Sequence, residues 1–210
     1  RLDTAGDTTY TPYKQPLANY IDGLVALGGA YWNTMVSACS FVGVGIEGIV
    51  VPLRSGMTVP TNNLFLTADL NQVTGLLGDG STTYINLNVT DSDTSQDDVS
   101  MSSWNSTTTT TNNAVFVGSL YLRHLATTAD YAPKIGSRNP STNQVNVSPS
   151  TATNFMGSVR TGATDFDYLI DGTSGTASRT SVAPVTTDLG VFNLGNATGV
   201  YSNARIATYH

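Results

Sequence analysis

The feature that most constrains this chain is a series of short strand-like segments that runs from residue 41 to the last residues of the sequence. They are rich in Val, Ile, Thr, Tyr and Phe, and turn residues separate them at about 8 to 12 residues, the spacing typical of sandwiches and barrels. Asp171-Gly172 is the strongest hairpin signal. We therefore predict an all-β sandwich of about eleven strands.

The predicted strands all carry apolar or β-branched residues between turn residues. In chain order they are Ile46–Leu53, Leu64–Leu66, Ser81–Val89, Asp98–Trp104, Ala114–Leu122, Gln144–Ser148, Phe155–Arg160, Asp165–Ile170, Ala177–Ser181, Asp188–Leu194 and Val200–Tyr209. Asn196-Ala197-Thr198-Gly199 predicts a second hairpin. Thr107–Thr111 predicts a solvated loop between two strands, and the alternative is a loop that faces a ligand or a partner.

The N-terminal part of the chain has a different pattern. Residues 1–14 are polar and show no periodicity, which predicts an extended arm. Residues 15–40 are predicted to form a helical segment, because apolar residues recur at helical spacing after Pro16 and Gly28-Gly29 is suited to ending a helix. Residues 41–210 would then form the sandwich, as a single globular domain.

Composition excludes several classes of function. The net charge of −6 and the scattered basic residues argue against a nucleic-acid partner. No apolar run is long enough to span a membrane, and residues 1–20 lack the apolar centre of a signal peptide. Cys39 is the only cysteine, so no disulfide forms within the chain, and its apolar neighbours predict a small buried side chain.

The residues do not form a recognisable catalytic set. Glu47 is the only glutamate, so a pair of glutamates cannot flank a glycosidic bond. Asp165 and Asp167 share one face of a strand, and we interpret them as solvent-facing beside an inward Phe166. A Gly-x-Ser-x-Gly elbow is absent, and His124, at the end of a strong strand, is interpreted as a hydrogen-bonded structural histidine. The sequence predicts that the protein is not an enzyme.

One acidic stretch raises the question of a cofactor. The candidate ligands for calcium are Asp91, Asp93, Asp97 and Asp98, the densest group of oxygen donors in the chain. The alternative is a solvated acidic loop, since the glycine and glutamate positions of an EF-hand are missing. We expect no other cofactor.

Several motifs resemble those of one protein family. They are the turn from Asp69 to Gly75, the Gly78-Asp79-Gly80-Ser81 loop, and a last strand with Arg205 in the place of a frequent basic residue, although Asn203-Ala204 stands where glycine is common. Together they resemble concanavalin A-like (LamG-type) jelly-roll domains of tailed bacteriophages. The resemblance implies a non-enzymatic virion protein, a capsid decoration or tail-associated protein, whose partners are the major capsid protein or tail proteins and further copies of itself.

Two sets of residues are candidates for binding. In the arm, Tyr10, Pro12 and Tyr13 are candidates for attachment to a partner protein. The alternative function is that of a carbohydrate-binding tail fibre or adhesin domain that recognises host surface glycans. Its candidate stacking residues are Trp104, Tyr84, Tyr131 and Tyr201. For Trp104 we favour a place in the core, because it ends an alternating strand.

Overall fold

The protein is seen in a computed structural model that describes residues 18–19, 21–23, 25–26, 33–107, 114–120, 122–126, 133–140, 144–146, 155–195 and 200–210. These residues are mostly β-sheet and form two antiparallel sheets, one of eight strands and one of seven. An all-β sandwich was the predicted fold class.

The described residues contain fifteen strands, several of only two or three residues, where about eleven were predicted. They are β1 (Cys39–Ser40), β2 (Thr61–Asn63), β3 (Leu70–Asn71), β4 (Gly75–Leu77), β5 (Tyr84–Thr90), β6 (Val99–Thr107), β7 (Val115–Gly118), β8 (Leu122–Ala126), β9 (Pro133–Ser137), β10 (Val145–Asn146), β11 (Phe155–Arg160), β12 (Asp165–Ile170), β13 (Thr173–Ser178), β14 (Asp188–Val191) and β15 (Arg205–Tyr209). Short 3-10 helices span Ile46–Val50, Thr67–Asp69 and Asp91–Asp93.

The strand order mixes distant parts of the chain. The eight-stranded sheet runs β13-β12-β11-β6-β15-β4-β3, with β1 also paired to β15. The seven-stranded sheet runs β10-β9-β8-β7-β14-β5-β2. β6 and β15, which are neighbours in the eight-stranded sheet, are almost a hundred residues apart in sequence, and the strands between them in the chain belong to both sheets.

The main apolar core of the described residues lies between the sheets. Ile85 and Leu87 of β5 alternate with more exposed residues and meet Met156 and Phe166 of the opposite sheet in a single cluster. At one end of the core, the Phe192 ring lies 5.0 Å from that of Phe65 and 6.4 Å from that of Phe41, between ring centroids. The alternation of apolar residues along the strands therefore supplies both faces of the core.

Two predicted strands and one predicted hairpin are confirmed. β11 and β12 have the predicted bounds. Asp171 and Gly172 join β12 to β13 with φ of 47° and 77°, the left-handed values that a two-residue type I′ turn requires. The short Asp-Gly sequence thus sets the register of this sheet edge.

Other predicted strands are wrong. Ile46–Leu53 is not a strand, because Ile46–Val50 forms a 3-10 helix between Gly45 and Pro52. The predicted strand Ala114–Leu122 is two strands, since Gly118 has a φ of 130° and Ser119 N–H donates to Leu122 O at 2.7 Å in a turn.

The predicted strand Leu64–Leu66 is also wrong, because β2 ends at Asn63. The Asn62 side chain accepts from the Phe65 N–H and donates to the Phe65 carbonyl, which folds this segment into a turn. Leu64 at its tip has a φ of 69°.

Part of the N-terminal prediction is seen. The described residues 18–19, 21–23 and 25–26 are helical, as predicted for this segment. Residues 39–40, assigned to the same segment from the sequence, pair instead with Thr208 and Tyr209 and so belong to the sandwich. The arm at 1–14, most of the threonine-rich loop and the hairpin at 196–199 lie outside the described residues.

Two glycines of the resembling motifs allow close backbone contact. A Cβ on Gly75 would overlap the carbonyl of Ile206, and a Cβ on Gly78 would overlap the carbonyl of Ser202. Both positions therefore require glycine so that β4 can lie against β15 and the segment before it.

Candidate binding face and buried charged centre

The first candidate site is the outer face of the eight-stranded sheet. Along β6, Val99 and Met101 face the core, so Trp104 falls on the opposite face. Its side chain is 52% exposed. The interpretation of Trp104 as a core residue is therefore wrong, and the two-residue periodicity from Met101 was the signal that places it outside.

Trp104 has apolar neighbours across the strands. Phe155 of β11 lies opposite it, with the two ring centroids 6.5 Å apart in an edge-to-face arrangement. Farther along the same face, Leu169 is 38% exposed and Val159 is 47% exposed. Gly157 of β11, which has no side chain, lies opposite Leu169, and Asp167 lies opposite Val159. We call Trp104, Phe155, Val159 and Leu169 the Trp104 patch.

Two hydroxyl groups next to Trp104 are already bonded within the protein. Ser102 Oγ lies 2.6 Å from His210 Nδ1. Thr208, directly opposite Trp104 on β15, donates its hydroxyl to the Cys39 carbonyl at 3.0 Å. The hydroxyl groups nearest Trp104 are therefore occupied, whereas the exposed Ser100 and Asp167 lie opposite Val159 on the same face.

The other aromatic candidates lie elsewhere. Tyr84 is on β5 in the seven-stranded sheet, and its ring centroid lies 6.2 Å from that of Tyr201. Both tyrosines are half-buried. Since Trp104 belongs to the other sheet, the candidates are divided between two places, and Tyr131 lies outside the described residues.

The second feature is a buried ion pair that the sequence analysis did not predict. Asp91 Oδ1 pairs with Arg138 Nη1, and both side chains are fully buried. Arg138 also donates to the Asp91 carbonyl at 2.7 Å and to the Ser95 carbonyl at 3.2 Å. Asp91 Oδ2 accepts from the Val185 N–H at 3.0 Å. The pair therefore ties the loop after β5 to the ends of two other segments.

A second buried arginine lies near this pair. Arg160 donates to the carbonyls of Ser137, Gly162 and Arg179 at 2.7, 3.0 and 2.9 Å, and its guanidinium lies 5.4 Å from the Phe166 ring centroid. Burial lowers the pKa of Arg160, and the nearby carboxylates act against this decrease. Its contacts join β9 in one sheet to loops of the other.

Three of the four calcium candidates are engaged in different interactions. Asp91 is paired with Arg138, Asp93 Oδ2 accepts from the Thr90 N–H at 2.7 Å, and Asp97 accepts from the Ser181 hydroxyl. Asp98 is exposed. Within the described residues, no group of three or more His, Cys, Asp or Glu side chains is arranged to hold a metal ion. Calcium binding remains a hypothesis for a direct test.

His124 lies between the sheets. It is fully buried, its ring nitrogens lie 3.3 Å from Ser103 Oγ and 3.4 Å from Ser158 Oγ, and burial lowers its pKa to about 3. The imidazole is neutral at neutral pH. This environment matches the interpretation of a hydrogen-bonded structural histidine.

The last residue forms a serine–histidine contact that the sequence analysis passed over. His210 contacts Ser102 and lines a cavity of about 340 Å³ together with Asp93 and Asp98. Burial lowers the pKa of His210 to about 4. Ser102 itself is buried and does not line the cavity, so its hydroxyl is not presented to a molecule bound there.

Asp165, Asp167 and Cys39 have the environments expected for them. Asp165 and Asp167 are exposed on β12 while Phe166 is buried between them. Glu47 is exposed. Cys39 is fully buried, and burial raises the pKa of its thiol to about 12, so the thiolate nucleophile is suppressed.

No helix among the described residues has the length and hydropathy needed to cross a membrane. No protein-family model and no curated protein sequence matches this chain. The structural features above therefore carry the functional argument.

Proposed function

We propose that this chain is a non-enzymatic structural protein of a bacteriophage virion, placed on the capsid or the tail. Its sandwich would be a concanavalin A-like jelly roll that serves as a scaffold for protein–protein contact. The observation that supports a role in protein contact is the Trp104 patch, an aromatic and aliphatic surface on the outer face of its sheet. The other face of this sheet is already packed against the core. The residues of the resembling motifs support the phage assignment.

The patch favours a protein partner. Exposed apolar groups that lie together mark contact surfaces, and tryptophan is enriched among the residues that dominate binding energy. Val159 and Leu169 extend the patch with aliphatic groups. The hydroxyls of Ser102 and Thr208 are engaged internally, so few polar groups beside Trp104 remain to orient a sugar.

The alternative is recognition of host glycans by a tail fibre or adhesin domain. The exposure of Trp104 favours it, because an accessible indole ring offers a flat apolar face for a sugar ring. A glycan array separates the two functions. Binding that is lost in Trp104→Ala would support the glycan function and contradict protein contact as the main role of the patch.

Attachment to the particle is assigned to the N-terminal arm. Residues 1–14 have too little apolar surface to fold alone, whereas Tyr10, Pro12 and Tyr13 suit a groove on the major capsid protein or a tail protein. Deleting residues 1–14 should leave the melting temperature within a few degrees and abolish particle association. Full occupancy of particles by the truncated protein would exclude the arm as the attachment element.

The direct test is binding of the purified protein to particles of the phage that encodes it. Trp104→Ala should weaken binding about tenfold or more, as expected for a buried aromatic at a contact. Leu77→Ala is the matched control, because Leu77 is also an exposed apolar residue of this sheet, on β4. Equal binding by both variants would contradict the role of the patch.

A further inference from the structure

The edges of the two sheets differ in how they are protected. An edge strand carries unpaired backbone groups, and proteins guard such edges with short strands, charges or proline. β1, β2, β3 and β10 are edge strands of only two or three residues. β13, the remaining edge, has six residues with the sequence Thr-Ser-Gly-Thr-Ala-Ser and carries no charge or proline. It is the least protected edge in the described part of the chain.

The hairpin determines which backbone groups of β13 point outward. Ile170 and Thr173 flank a two-residue turn and form the hydrogen-bonded pair that closes it. Arg179 N–H continues this alternation, donating to Thr164 O on the β12 side at 2.7 Å. The N–H and C=O groups of Ser174 and Thr176 therefore point away from the sheet.

We propose that β13 pairs in antiparallel register with β13 of a second copy of this chain, around a two-fold axis at Gly175. Ser174 of each copy then lies opposite Thr176 of the other, and these two pairs exchange four backbone hydrogen bonds. The result is one continuous sheet across a dimer, in which both partners present the same surface. Neutral side chains at this contact put no like charges opposite each other.

Charge complementarity at the ends of β13 selects a second copy as the partner. In the register centred on Gly175, Arg179 of one copy lies opposite Asp171 of the other, and the two-fold axis repeats this pairing. Asp171 is exposed in the hairpin turn, and Arg179 follows the end of β13. A register centred on Thr176 places Arg179 opposite Thr173 instead and loses both charge pairs. Of these two registers, only the one centred on Gly175 places opposite charges together.

The side chains at this edge have internal contacts, and the register accommodates two of them. Arg179 Nη1 donates to the Ser178 carbonyl at 2.8 Å, at the end of the strand beyond the central pairs. Thr176 Oγ1 donates to Asp167 Oδ1 at 2.6 Å, which uses its side chain and leaves its backbone groups directed outward. Through this contact the homo-oligomer of the proposed function would form. The inference of the contact itself depends only on the fold and not on the proposed function.

Sedimentation velocity of the full chain tests the pairing, at concentrations of about 1 to 300 μM that bracket the affinities of small interfaces. The wild type should form a dimer whose population rises with concentration and falls with salt. Arg179→Asp should weaken it at least tenfold, and adding Asp171→Arg to the same chain should restore it to within about threefold. Circular dichroism melting checks that each variant is folded.

A backbone variant tests the same contact independently of charge. Thr176→Pro removes an outward N–H without touching the ladder to β12, and should abolish the dimer, whereas Thr176→Val should retain it. A wild type that is monomeric at every concentration overturns the proposal. The β13 edge would then be available for pairing with a strand of a different protein. A dimer unaffected by Thr176→Pro, or a charge reversal that is not rescued, overturns it as well. Particle binding is measured separately, so either proposal can fail alone.

Discussion

Substitution of Asp91 by asparagine should destabilise the protein strongly. Asp91→Asn keeps the size of the side chain but turns an amide or a neutral oxygen toward Arg138 Nη1, which is fully buried. The guanidinium then keeps its carbonyl contacts and loses its counter-charge. Removing one partner of a buried ion pair costs about 3 to 5 kcal/mol, because the other charge stays uncompensated.

Thermal and urea unfolding followed by circular dichroism measure this cost. For a chain of this length, about 1 kcal/mol shifts the melting temperature by roughly 2 to 4 °C, so a decrease of roughly 6 to 20 °C is expected. Arg138→Met should cost a similar amount by leaving the Asp91 carboxylate with the Val185 N–H as its remaining partner. The double variant should lose less than the sum of the two, with a coupling energy of about 2 kcal/mol.

Asp98→Asn is the matched control, since Asp98 is an exposed carboxylate of the same loop. Its effect should stay within about 0.5 kcal/mol. A cost below about 1 kcal/mol for Asp91→Asn, the range of surface ion pairs, would refute the reasoning. So would additive effects of Asp91→Asn and Arg138→Met.

Three further outcomes are expected. The folded-state pKa of His124 is about 3 and that of an unfolded histidine about 6.5, so the unfolded state binds the proton first as the pH falls. The free energy of unfolding should therefore decrease as the pH drops below about 6.5. The difference between the urea midpoints at two pH values should be smaller in His124→Gln than in the wild type. Asp79 accepts from the N–H groups of Ser81, Thr82 and Thr83, and these bonds outweigh burial and hold its pKa well below the usual range. Asp79→Ala should therefore cost roughly 1 to 2 kcal/mol at pH 7, and the difference should shrink once the pH falls below about 4. If calcium binds, a chelator should lower the melting temperature, and an unchanged melting curve would remove the calcium hypothesis.

The sequence predicted those strands whose alternation is regular. β11 and β12 were placed correctly, because both alternate apolar and polar residues and Asp171-Gly172 ends the second one. Ile46–Val50 was misplaced, since a short apolar run has no periodicity that separates a strand from a turn of helix. Local pattern therefore located hairpins better than it located isolated apolar runs.

The candidate site was predicted only in part. The sequence analysis named Trp104 as a candidate binding residue but favoured a place for it in the core. Its spacing from Met101 places it on the outer face. Arg160 follows Met156 and Ser158 at inward positions of β11, so the pattern contained a signal for its burial. Arg138 gave no such signal, because its burial depends on the loop of Asp91, which reaches it only in the folded chain.

Binding of the protein to purified phage particles tests the central claim, contact through the Trp104 patch, most directly. Quantitative cosedimentation of wild type, Trp104→Ala and Leu77→Ala gives three affinities under one condition. We predict saturable binding by the wild type, binding at least about tenfold weaker for Trp104→Ala, and an unchanged affinity for Leu77→Ala. No saturable binding by the wild type, or equal binding by wild type and Trp104→Ala, would contradict the claim.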